Sequence, residues 1–91
     1  MKNRDPKDIG KIIVNHEIMV GKPVIAGTRI PVYMIIDLLA TGVTTEEILR
    51  DYYPNLTEKD INACLRYSAK ALEHEYIEFI DKEKVHEADL R

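Results

Sequence analysis

Apolar positions along the chain change period twice, and each change marks an element. Ile12, Ile13 and Val14 form a β-branched run that ends at Asn15 and His16, which predicts a short strand; Val24 and Ile25 predict a second. From Val32 to Thr41 the spacing becomes helical, with Val32, Ile35, Ile36 and Leu39 at i, i+3, i+4 and i+7, and Gly42 supplies the stop. Thr44, with Glu47 three residues on, is a capping box that opens a second helix. Ile48 and Leu49 turn inward from it, and it is cut at about Tyr53 by Pro54. A third helix begins at Thr57, with Asp60 placed to complete a weaker capping pair. Its apolar stripe runs through Ile61, Cys64 with Leu65, Ser68, Leu72, Tyr76, and Phe79 with Ile80, free of Gly and Pro. Only the first half of that stripe is needed to cover two short helices. The remainder, Tyr76 to Ile80 and the polar residues beyond it, is surplus that a partner would use. The fold class expected is therefore mainly α: a tri-helical core preceded by a small β-hairpin.

Between the second strand and the first helix stands GKPVIAGTRIPV, Gly21 to Val32. Gly21 and Pro23 mark a tight turn, Gly27 can adopt positive φ, and Pro31 presets φ where the helix starts. The stretch reads as a β-turn-β-to-helix junction. Arg29 sits in it with two uses open, a phosphate or carboxylate contact, or an ion pair with a nearby acid such as Asp37. Residues 1–10 are polar, contain Pro6 and read as a flexible arm; residues 11–75 form the domain, and residues 76–91 a helical extension.

Ninety-one residues make one small domain with a modest core, so homodimerisation would supply missing burial. The net charge is −3, unpromising for nucleic acid, but the first 30 residues carry six cations against three anions. A basic amino-terminal layer on an acidic helical body fits a protein that meets a polyanion with one face; the other reading is plain solvated surface. Cys64 is the only cysteine, which excludes an internal disulfide or a thiolate metal site within one chain. No apolar run reaches the length of a membrane span and the start MKNRDPKD lacks a secretory core, so the expected compartment is the cytoplasm.

The second helix, the connection Pro54–Thr57 and the third helix have the lengths of a helix-turn-helix. Core packing alone makes the same pattern. A groove-facing third helix offers Lys59, Asn62 and Arg66 as readers, but Glu58 and Asp60 would oppose phosphate there, so Lys11, Lys22 and Arg29 must add cations if DNA is bound. His16, His74 and His86 lack metal-ligand spacing, the pair His74 and Glu78 lacks a third ligand, and no nucleophile stands beside a base; no cofactor, metal or catalytic residue is assigned.

The strings GKPVIAGTRIPV, TTEEIL, YPNLT and DINACLRYSAKAL together resemble a family of small prokaryotic proteins, DUF433, over Ile12 to Glu75. Gly27 to Val32 match its core, and Tyr53, Pro54, Leu56 and Thr57 its turn. The resemblance implies a homeodomain-like helix-turn-helix core and the role of antitoxin to a PIN-like nuclease toxin, with no catalytic residue of its own. On that expectation Tyr76, Phe79 and Ile80 anchor the toxin, while Lys82, Lys84 or Arg91 reaches its acidic site. A stand-alone transcription regulator and a structural dimerisation module are the competing expectations.

Overall fold

A computed structural model describes the backbone of residues 4–83 and the side chains of residues 4–74. β1 (Ile12–Ile13) and β2 (Val24–Ile25) pair antiparallel, Ile12 opposite Ile25 and Ile13 opposite Val24. α1 (Val32–Ala40) follows, then α2 (Thr45–Glu47) running into a π-helical turn over Ile48–Tyr52, then α3 (Glu58–Glu83). The mainly α architecture with a small amino-terminal hairpin is the one the periodicity predicts.

The junction between β2 and α1 shows why its residue types are needed. The chain doubles back so tightly that the Ile25 N–H donates to the Ile30 carbonyl at 3.0 Å and the Val32 N–H to the Pro23 carbonyl at 2.9 Å. Thr28 staples the bend, its hydroxyl donating to the Ile25 carbonyl at 2.7 Å and accepting from the Ile30 N–H at 3.0 Å. Gly27 turns the corner at φ +79°, and a Cβ there would stand 3.0 Å from Asp8 Oδ2 and 3.4 Å from Arg4 Nε. Both the left-handed backbone and the close approach exclude a side chain, so Gly27→Ala is expected to destabilise by about 1–3 kcal/mol. Urea unfolding checks this; an unchanged midpoint contradicts it.

At the next helix start the capping box is complete: the Thr44 hydroxyl accepts from the Glu47 N–H at 3.1 Å, and Glu47 Oε1 accepts from the Thr44 N–H at 2.9 Å. The second helix does not stay α-helical to Tyr53, as its pattern predicts. Pro54 disfavours the α conformation in the residue before it, and Tyr53 sits at φ −134° with its N–H donating to the Ile48 carbonyl at 2.7 Å, a five-residue step. The widened turn still buries Ile48 completely.

Around Ile48 the core gathers Ile25 from β2, Val32 and Ile35 from α1, Leu56 from the turn, and Ile61 and Cys64 from α3. Two stripe assignments for α3 are corrected. Leu65 and Leu72 are 46% and 63% exposed, because the inward face is set instead by Asp60, Ile61, Ala63 and Cys64, with Tyr67 partly covered. Burial pushes the Cys64 thiol up to about 11, with help from the negative charge of Asp60, so the thiol remains protonated.

Residues 4–10 are corrected as well. The arm expected over residues 1–10 does not project there. A short 3-10 turn, Pro6–Asp8, follows the Asp5 cap, which accepts from the Lys7 N–H at 3.0 Å, and the segment lies across the start of α3. The tie that holds it is ionic.

Candidate nucleic-acid interface

Asp60 occupies the third position of α3, where its carboxylate can reach back to the helix's unpaired N–H groups. Oδ2 accepts from the Thr57 N–H at 2.7 Å and the Thr57 hydroxyl at 3.1 Å; Oδ1 accepts from the Gly10 N–H at 2.9 Å. Arg4 completes the set. Its Nη1 donates to Oδ2 at 2.7 Å and its Nη2 to Oδ1 at 3.2 Å, while Nη2 also meets the carbonyls of Ala26 at 2.6 Å and Asp8 at 3.2 Å. The pair is closed to water, with side-chain exposures of 6% for Arg4 and 0% for Asp60. Burial alone would raise the Asp60 carboxyl, but the bonds from Arg4, Gly10 and Thr57 outweigh it and hold the group below its ordinary range.

This clasp changes the electrostatics of α3. Asp60, expected to face phosphate and oppose it, is withdrawn into the protein and neutralised, and Glu58 remains as the exposed acid of the first turn. Sequence reasoning missed the partner because Arg4 and Asp60 lie 56 residues apart. The available signal was local: a capping aspartate has oxygens to spare for one more donor.

Along the flank of α3 that faces the hairpin, basic residues recur at helical spacing. Arg66, Lys70 and His74 stand four residues apart and line one groove with Gly10, Ile12 and Tyr67. Lys59 continues the row toward the helix start, its Cβ 3.5 Å from where a Gly10 Cβ would be, and Lys11 stands exposed between two groove residues. Two of the sequence-derived candidates, Lys59 and Arg66, thus border one surface, and Asn62 is exposed on the same helix. Lys70 and His74 were overlooked, although their spacing from Arg66 is visible in the sequence.

Lys22 and Arg29 do not join this flank. Lys22 lies by the neighbouring groove between α1 and α3, which shares Tyr67 and Ala71 with the first, its Nζ 5.2 Å from the centre of the Tyr33 ring, a cation–π contact. Arg29 is exposed in the β2–α1 turn, and among the described residues it makes no ion pair with Asp37. Tyr76, Phe79, Ile80 and Lys82 fall on the α3 backbone with side chains outside the described residues; Lys84 and Arg91 lie wholly outside them. Among the described residues no three His, Cys, Asp or Glu side chains gather as a metal site, and no helix is long and apolar enough to cross a membrane.

Fold and flank define a small tri-helical module that carries a β-hairpin and a row of cations along its longest helix. The family model for a protein of unknown function, DUF433, matches residues 12–68, more than half of the chain, and the chain belongs to that family. No curated protein and no solved structure matches it.

Proposed function

We infer that this chain is a cytoplasmic, dimeric antitoxin without catalytic activity, which binds operator DNA through the hairpin-facing flank of α3 and neutralises a PIN-like nuclease with its carboxy-terminal extension. The observation that carries the DNA half is the row Lys59, Arg66, Lys70 and His74 beside an Asp60 whose charge is consumed internally. A helix that presents cations on one flank and hides its acid in an ion pair is suited to lie along a polyanion. The toxin half rests on the family resemblance and on the surplus apolar positions Tyr76, Phe79 and Ile80. They follow the three- and four-residue spacing of a helix laid into a groove.

Co-expression with the product of the neighbouring gene, on this reading a small nuclease, tests the toxin half. The intact chain is expected to co-purify with that nuclease and restore growth, and removing residues 75–91 is expected to abolish both. A truncated chain that still neutralises contradicts the assignment. For the DNA half, the chain is expected to retard its own promoter at low ionic strength; a promoter left unshifted with and without the nuclease contradicts operator binding.

A further inference from the structure

The other flank of α3 differs in character from the basic one. Where α1 and α3 diverge, Tyr33, Ile36, Tyr67, Ala71 and Leu72 line an apolar groove of about 510 Å³. Tyr33 is 52% exposed and Leu72 63% exposed, so two large apolar side chains of one patch face water. At its rim stand one cation, Lys22, and one anion, Asp37, which are not paired with each other among the described residues. A two-fold axis passing between these two charges sets each of them against its opposite on a second copy, with the apolar centres facing one another. A partner with a single-sign surface would not gain from that arrangement.

We propose that the α1–α3 groove is the homodimer interface, in which a second copy of this chain seats its Tyr33, Ile36 and Leu72 across a two-fold axis. The proposal rests on the operator-binding reading above and names the surface that reading needs. It assigns the two flanks of one helix to different partners, the basic flank to DNA and the apolar flank to its own copy.

Sedimentation of the full chain without DNA tests the surface separately from the DNA reading. The wild type is expected to sediment as a dimer, and Leu72→Glu, at an exposed position, to weaken the dimer at least about tenfold with its circular dichroism unchanged. Asp37→Lys, which leaves two cations on each rim, is expected to weaken it as well. The exchange Lys22→Asp with Asp37→Lys is expected to restore it, which keeps the test valid should Leu72→Glu fail to fold. A dimer indifferent to all three changes overturns the interface while leaving operator binding intact. A wild type that is monomeric throughout overturns the interface and the dimer together. A variant that remains dimeric yet loses the nuclease gives the groove to the toxin, and also overturns the proposal.

Discussion

An Arg4→Ala chain is expected to be less stable than the wild type by about 3–5 kcal/mol, the cost of leaving one partner of a buried ion pair unpaired. In a domain of this size that lowers the melting midpoint by about 12–20 °C or more, readable by circular dichroism. The reasoning is local. Asp60 is wholly buried, and among the described residues Arg4 supplies two of the five hydrogen bonds to its carboxylate together with its only ion-pair partner. Removal of the guanidinium also frees the carbonyls of Ala26 and Asp8, so the hairpin and the 3-10 turn lose their common tie to α3.

The pH dependence of that difference has a definite sign. In the wild type the Asp60 carboxyl is held below its ordinary value, so its contribution is complete above the unfolded carboxyl pKa and is lost as pH falls through the lower folded value. In Arg4→Ala the unpaired charge is the penalty, and protonation removes it. The stability gap is therefore expected to narrow as pH falls below about 4. A gap that widens on acidification, or a midpoint unchanged by the substitution at pH 7, contradicts the clasp. Arg4→Met with Asp60→Leu recovers only part of the loss, because Asp60 also caps Thr57 and accepts from Gly10.

How much of this was legible in the sequence follows from how local each cause is. The bend at Gly27, the Thr44–Glu47 box and the stop at Gly42 depend on neighbours within four residues, and each was readable. The inward face of α3 was not. A binary pattern turns aspartate outward and leucine inward, yet Arg4 draws Asp60 into the interior and the helix rotates with it, leaving Leu65 and Leu72 in water. The same contact turned residues 4–10 from an expected arm into part of the body. Lys59 and Arg66 were named as readers on the third helix and do border one surface; Lys22 and Arg29 were named from charge alone and lie elsewhere. Charge identifies cations, whereas the face each one occupies is decided by the hairpin and by the rotation of α3.

Charge reversal on that surface carries the second large effect. Arg66→Glu with Lys70→Glu removes two cations from the row and replaces them with two anions facing phosphate. Loss of two charge-assisted contacts, with repulsion added, is expected to weaken promoter binding about 100-fold or more at moderate salt. Both residues are exposed, so the fold is expected to be retained. The same reversal at Lys22, on the far flank, is expected to have little direct effect on DNA and to act through the dimer. A Lys22→Asp chain that loses DNA while remaining dimeric would place phosphate on the wrong side of α3.

The salt dependence of promoter affinity tests the central claim most directly. Anisotropy titrations of a labelled promoter fragment across a range of salt give the slope of log K against log salt, for the intact chain and for Arg66→Ala with Lys70→Ala. Each phosphate contact contributes about 0.9 to that slope, so the double variant is expected to lose about 1.8 per protomer while it binds more weakly at every salt concentration. An intact chain that does not bind, or a variant whose slope equals that of the wild type, contradicts the assignment of this flank to DNA.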